Sequence, residues 1–87
     1  MLLPMSELFS VVEGLDGAVG LLVEDIELMD FLDDHFTETL DIEPAYITED
    51  PRGLWFDAAV GRATVERAMA AMDPAELRRI YLLNNPS

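Results

Sequence analysis

Apolar and polar positions alternate along residues 45–60, on either side of a turn signal at residues 50–53. Residues 45–49 combine aromatic and β-branched side chains, and residues 54–60 place Leu, Phe, Ala and Val at every second position. Such alternation is typical of a strand with one buried face. Residues 50–53 are Asp-Pro-Arg-Gly, which puts Asp, Pro and Gly where a type I turn prefers them. The pattern predicts a β-hairpin over about residues 45–60.

The apolar period changes after Gly61, from two residues to between three and four. Residues 65, 68, 69 and 72 are Val, Ala, Met and Met, a spacing that predicts an amphipathic helix. Asp73 then supplies a helix cap, Pro74 suits a first helical position, and Glu76 stands where a capping-box acid is found. A last helix is therefore predicted from about Pro74 to Leu83.

The first half of the chain has a less distinct pattern. Residues 8–13 are compatible with a short strand, which we favour, or with a helical turn. Asp16 is a candidate cap for a helix reaching about residue 33. Its apolar stripe would be formed by Val19, Leu22, Val23, Ile26, Met29 and Leu32. Gly14, Gly17 and Gly20 do not have the spacing of a dinucleotide-binding loop, so we interpret them as turn and close-packing glycines.

The predicted element order is strand, helix, strand, strand, helix, helix. This order predicts an α+β fold, with a small sheet that contains the hairpin at about 45–60 and two to three helices packed on one face. The first crossover would be right-handed if its strands were parallel. If residues 8–13 were helical, the alternative would be a mostly α domain with one hairpin. With 87 residues, we expect a single small acidic domain over 1–87, in which residues 1–5 form a frayed leader.

Charge is distributed very unevenly along the chain. Residues 1–51 contain 14 acidic residues and no Lys or Arg, whereas residues 52–87 contain 5 Arg and 4 acidic residues, so −14 and +1 give the net charge of −13. Such a field repels nucleic acid and anionic membranes and attracts a basic protein. The chain has no cysteine, and no apolar run approaches the roughly 18 residues of a membrane span. We therefore expect a cytoplasmic protein that binds neither nucleic acid nor membrane directly.

Catalytic and metal-binding patterns are weak. The chain has no lysine for a Walker motif, a single histidine, and no nucleophile elbow around its serines. A metal site built from Asp30, Asp33, Asp34 and His35 is disfavoured, because adjacent helical residues point about 100° apart. We accordingly expect no enzyme activity, no metal and no cofactor.

A row of carboxylates is the strongest candidate for a binding site. These residues succeed one another at intervals of three or four, so on one helix they would share a face: Glu24, Glu27, Asp30, Asp34 and Glu38. An ordinary exposed helix face mixes both signs of charge, whereas no cation precedes Arg52 here. The pattern indicates an acidic surface for a basic partner.

Two aromatic residues complete the candidate site. Trp55 alternates with Leu54 and Phe56, so it is exposed if the helices cover the side of the hairpin on which Phe56 lies. Exposed tryptophan is enriched at binding hot spots. Trp55 and Tyr46 are therefore candidate anchor residues beside the carboxylates, and the alternative is that Trp55 packs into a second small core or under the N-terminus.

These features indicate an acidic inhibitor that binds and neutralises a basic protein acting on nucleic acid. In length, acidity and lack of cysteine the chain resembles the small nuclease-immunity proteins, a resemblance of type that no residue motif carries. The partner would be a nuclease toxin or a nucleic-acid-binding defence complex, and the protein a monomer or a homodimer. The alternatives are a phage nucleic-acid mimic of the anti-CRISPR or antirestriction type, and an acidic adaptor subunit.

Overall fold

Four antiparallel strands and three α-helices make up residues 8–84, the part of the chain that the computed structural model describes. In chain order the elements are β1 (Phe9–Glu13), β2 (Val19–Val23), α1 (Ile26–Asp34), β3 (Tyr46–Glu49), β4 (Arg52–Phe56), α2 (Arg62–Ala70) and α3 (Pro74–Asn84). A π-helical turn, His35–Thr39, continues α1. The predicted leader at 1–5 lies outside the described residues.

Two hairpins lie side by side in the sheet, whose strand order is β1-β2-β4-β3. Every neighbouring pair is antiparallel, so the sheet contains no parallel crossover. The predicted α+β fold is confirmed, and the predicted hairpin is formed by β3 and β4. Residues 8–13 contain the favoured strand, which is β1. The mostly α alternative is wrong, because strands β1 and β2 form a hairpin of their own.

The predicted helix from Asp16 to about residue 33 is wrong in its first half. Val19–Val23 is strand β2, and the helix begins only at Ile26, where the buried carboxylate of Asp25 accepts a hydrogen bond from the Leu28 amide at 2.9 Å. The carboxylate of Asp16 accepts from the amide of Ala18 inside the β1–β2 turn instead. Because β2 lies inside the sheet, nearly all of its residues are apolar, and a continuous apolar run satisfies a helical period as well as a strand.

The turn of the second hairpin lies one residue earlier than predicted. Asp50 and Pro51, joined by a cis peptide bond, connect β3 to β4. Gly53 is consequently a strand residue and not the last residue of a type I turn. It lies opposite Leu22 of β2, and a Cβ atom at position 53 would come within 2.8 Å of the Leu22 side chain. Close packing between strands therefore explains this glycine.

Both C-terminal helices confirm their predictions. α2 buries Val65 and Met69, as its apolar period indicated. α3 begins at Pro74, and the Asp73 carboxylate accepts a hydrogen bond from the Ala75 amide at 2.9 Å. Leu77 is buried, while Ile80 and Tyr81 pack against the core from its edge. No helix within residues 8–84 is long and apolar enough to cross a membrane.

The core lies between the sheet and the helices. Helix α1 packs over β2 and β4, α2 packs over β1 and β2, and α3 packs against α1. The sheet contributes Val19, Leu21, Val23, Leu54 and Phe56 to this core. Phe36 of the π-helical turn meets Phe56 with ring centroids 5.0 Å apart. The helices therefore cover the side of the hairpin on which Phe56 lies.

The opposite side of the sheet carries no helix of the described chain. We call it the open sheet face. Alternation along the paired strands assigns eight residues to it: Ser10, Val12, Gly20, Leu22, Tyr46, Thr48, Gly53 and Trp55. None of these residues is charged.

Candidate functional site

Four carboxylates lie along the outer side of α1 and its π-helical continuation. We call them the acidic ridge: Glu27, Asp30, Asp34 and Glu38. All four are exposed, whereas Leu28 and Leu32 of the same helix are buried. Helical residues three or four apart have Cβ atoms about 5 to 6 Å from each other, so the ridge is a row about 15 Å long. The structure thus brings four of the five predicted carboxylates together.

Glu24, the fifth predicted carboxylate, does not lie on the helix. It precedes the cap residue Asp25, in the link between β2 and α1. The guanidinium of Arg52 donates a hydrogen bond to the backbone carbonyl of Glu24. Glu24 is therefore next to a cation. The prediction placed Glu24 on the ridge because it began the helix too early.

The arginines form their ion pairs elsewhere. Within residues 8–84, Arg62 pairs with Glu13 at 3.7 Å and with Glu66 at 2.6 Å, and Arg79 lies 3.8 Å from Glu76. The hydrogen bond and the negative charge of Glu66 raise the pKa of Arg62. None of these pairs includes a ridge carboxylate. Among residues 8–84, the ridge consequently presents to solvent negative charge that no ion pair compensates.

A shallow depression of about 480 Å³ separates the end of the ridge from strand β3. Asp34 and Glu38 line it from the helical side, together with Asp33 and Thr37. Glu43, Pro44 and the first residues of β3 line the other side. Tyr46 and Ile47 are 49% and 50% exposed there. Four carboxylates therefore surround this depression, which also has an apolar wall. We call it the acidic depression.

Trp55 lies on the open sheet face, as expected if the helices cover Phe56. Its ring lies flat over Gly20, where a Cβ atom would come within 2.8 Å of the ring, and it stacks on Tyr46 with centroids 5.9 Å apart and planes at 7°. Its indole nitrogen donates to the Thr48 hydroxyl at 3.0 Å, and that hydroxyl donates to the Pro51 carbonyl at 2.7 Å. Trp55 is only partly exposed, because it packs across the strands in this way. The alternative that it packs under the N-terminus involves residues outside the described part of the chain.

Tyr46 connects the two candidate surfaces. α1 and Trp55 lie on opposite sides of the sheet, so the ridge and the tryptophan do not form one continuous patch. Tyr46 belongs to β3, at the edge of the sheet, where it stacks on Trp55 and also lines the acidic depression. Sequence reasoning missed three residues of this junction: Asp33, Glu43 and Ile47. The only sequence signal that these residues belong to the site was their proximity along the chain to Asp34 and Tyr46.

A second cavity, of about 790 Å³, opens at the other end of the sheet. Arg52, Glu24, Glu49 and Asp50 contribute charged groups of both signs to its lining. The histidine of the chain does not line it. His35 stacks on Phe31 with ring centroids 6.2 Å apart, beside the core. No group of three or more metal-ligating side chains is assembled within the part of the chain that the structure describes.

Comparisons with known proteins supply no relative: no protein-family model, curated protein or solved structure matches this chain. The functional hypothesis therefore rests on the acidic ridge, the depression beside it and the aromatic pair.

Proposed function

We propose that this chain is a non-enzymatic inhibitor, which binds a basic protein acting on nucleic acid and blocks it in the manner of an immunity protein or an antitoxin. The observation that carries the proposal is the acidic ridge, whose four carboxylates are exposed and form none of the ion pairs found within residues 8–84. Enzymes that handle nucleic acid carry cationic surfaces for phosphate, and a row of carboxylates is complementary to such a surface.

The ridge has a cost to the fold that a binding role would explain. Its successive like-charge neighbours each destabilise a helix by a few tenths of a kcal/mol, about 1 kcal/mol in all. A domain of this size has a total stability of only about 5 to 15 kcal/mol. Exposed helix faces normally avoid that cost by mixing Glu with Lys or Arg. The retained charge favours association instead, since complementary fields raise association rates by about 10- to 1,000-fold.

Aromatic contacts would supply the part of the affinity that salt does not screen. Tyr46 is half-exposed beside the acidic depression, and Trp55 supports its ring from behind. A tyrosine held in this way loses little conformational entropy on binding, a property of hot-spot residues. Charge would then bring the partner to the ridge, and contact with Tyr46 would slow its dissociation.

A second candidate function is mimicry of nucleic acid. The ridge is a single row of charges about 15 Å long with neighbours about 5 to 6 Å apart, close to the spacing of about 6 to 7 Å between successive phosphates of one strand. A mimic of this kind would compete with DNA or RNA for its partner and would lose affinity steeply with salt. An inhibitor that also relies on contact with Tyr46 would lose less affinity as the salt concentration rises.

Capture of partners from a bacterial lysate tests the proposal. The tagged protein should retain a basic nucleic-acid-processing protein, and the variant Glu27→Lys/Asp30→Lys/Asp34→Lys should bind that protein at least about 100-fold more weakly, because close charge pairs at interfaces contribute about 1.5 to 7 kcal/mol each. Far-UV circular dichroism should be unchanged, since the three side chains are exposed.

Charge-matched variants separate the ridge from the net charge. Glu27→Gln/Asp30→Asn/Asp34→Asn and Ala63→Lys/Ala70→Lys/Ala71→Lys both add three positive units to the net charge of −13, and all the substituted side chains are exposed. Only the first set should weaken binding strongly. Equal weakening by both sets would show that the overall field matters and the ridge does not. Unchanged capture by the variant Glu27→Lys/Asp30→Lys/Asp34→Lys would eliminate the proposal.

A further inference from the structure

Strand β3 is an edge strand with an acidic flank. The sheet order places it at one end, and its four residues, Tyr46–Glu49, pair only with β4. An edge strand presents unpaired backbone donors and acceptors along its outer side. Tyr46 and Ile47 are half-exposed and Glu49 is exposed, so no part of the described chain buries this strand.

Proteins usually protect such an edge, and the means of protection indicates what the edge excludes. Lysines, prolines and bulges are the common devices. Here Pro44 and Pro51 stand just outside the strand and limit its length, and Glu43 and Glu49 place negative charge at its two ends. Negative charge repels a second copy of this chain, whose net charge is −13. It does not repel a strand that carries arginine or lysine.

The surroundings of β3 differ on its two sides. Ile47 faces the helix-covered side and lines the acidic depression with Asp34 and Glu38. Tyr46 and Thr48 face the open sheet face, where Tyr46 stacks on Trp55. Successive side chains of a strand added beside β3 would point to these two sides in turn. One set would meet carboxylates, and the other would meet an uncharged aromatic surface.

We propose that β3 binds an extended basic segment of a protein partner by strand addition, with arginine or lysine at every second position of that segment and apolar residues between them. The cationic side chains lie in the acidic depression, and the apolar ones lie beside Tyr46. This inference rests on the proposed function, which it deepens by naming the part of the partner that is bound.

Synthetic peptides test the inference on the intact protein. The first probe has about eight residues with arginine and valine in alternation, which covers the four residues of β3 with a margin at each end. The second has the same composition with its arginines in one block. The third is the alternating peptide with N-methylated backbone amides, which keeps its charge and side chains but lacks the donors for strand pairing.

The alternating peptide should bind at least about tenfold more tightly than the other two, because only it can pair its backbone while separating its two kinds of side chain. It should slow hydrogen exchange along Tyr46–Glu49 and alter the fluorescence of the single tryptophan, which lies against Tyr46. Equal affinity for all three peptides, or no binding of the alternating one, would overturn the inference.

Two variants with the same charge change provide the control. Ile47→Arg places a cation on β3, and Ala70→Arg places one on the exposed end of α2. Ile47→Arg should weaken binding of the alternating peptide at least about tenfold, and Ala70→Arg by less than about twofold. Equal effects would mean that charge alone attracts the peptide. Concentration-dependent dimerisation that Ile47→Arg abolishes would overturn the inference by making a second copy the occupant of β3.

Failure of this inference and failure of the proposed function are distinguishable. If capture of a basic partner depends on the ridge but no peptide binds at β3, strand addition is wrong and the inhibitor role is retained. If a peptide binds at β3 but the ridge substitutions do not affect capture, the inhibitor role is wrong and the binding site at the edge strand is retained.

Discussion

The acidic ridge and the open sheet face both lie outside the core between sheet and helices, but they relate to the fold in opposite ways. The ridge carboxylates form none of the ion pairs found within residues 8–84, whereas Trp55 contacts two other strands, β2 through Gly20 and β3 through Tyr46 and Thr48. Substitutions on the ridge should therefore change binding and leave stability nearly unchanged. Substitutions at Trp55 should change stability, and their effect on binding has to be separated from unfolding.

Trp55→Ala should cause the largest loss of stability on either surface, about 2 to 3 kcal/mol, somewhat below the cost of truncating a fully buried aromatic residue. The substitution uncovers Gly20 and removes both the stack on Tyr46 and the hydrogen bond to Thr48. Urea denaturation measures the effect. Tyr46→Ala is the control and should cost about 1 kcal/mol, because Tyr46 is 49% exposed at the sheet edge. A loss below about 0.5 kcal/mol for Trp55→Ala would contradict its structural role.

Gly20→Ala should destabilise the protein by about 1 to 2 kcal/mol, because its Cβ atom would lie 2.8 to 2.9 Å from three ring carbons of Trp55. The ring cannot move away without disturbing its stack on Tyr46 and its hydrogen bond to Thr48. In the Trp55→Ala background the same substitution should cost nearly nothing. A double-mutant cycle measures this coupling, and additive effects would mean that Gly20 and Trp55 are independent.

Asp34→Asn should have the smallest effect and the opposite sign, a gain of about 0.5 kcal/mol at low salt. It relieves repulsion from Asp30 and Glu38, each one turn away, and removes negative charge near the C-terminal end of α1. The gain should disappear in about 1 M salt, where the screening length is about 3 Å. A loss of stability at low salt would indicate that Asp34 has a structural role after all.

Local signals were sufficient for the second half of the fold. The alternation on either side of residues 50–53, the cap at Asp73 and the helical periods after Gly61 each involve residues close in sequence. Elements with such signals appeared where they were predicted, except that the hairpin turn lies one residue earlier and β4 ends at Phe56. The shared face of Glu27, Asp30, Asp34 and Glu38 followed for the same reason, since helical spacing alone determines it.

Strand β2 could not be predicted in this way. Its five residues, Val19–Val23, are apolar or glycine, because Val19, Leu21 and Val23 face the core and the Trp55 ring lies over Gly20 on the other side. Such a run fits a helix and a strand equally well. What distinguishes them is pairing with β1 and β4, which are distant from each other in sequence. The misassigned helix then placed Glu24 on the ridge.

By itself, the sequence determined the acidity of the first half, the row of carboxylates on α1 and the residue types of the second hairpin, because composition and local period require no knowledge of neighbours in space. Only the tertiary structure decided that β3 is a sheet edge, that Glu43 and Ile47 join Asp34 and Glu38 around one depression, and that Trp55 covers Gly20. The physical reason is that strand order and side-chain contact depend on which distant segments pack together, and burial of the common core selects that arrangement.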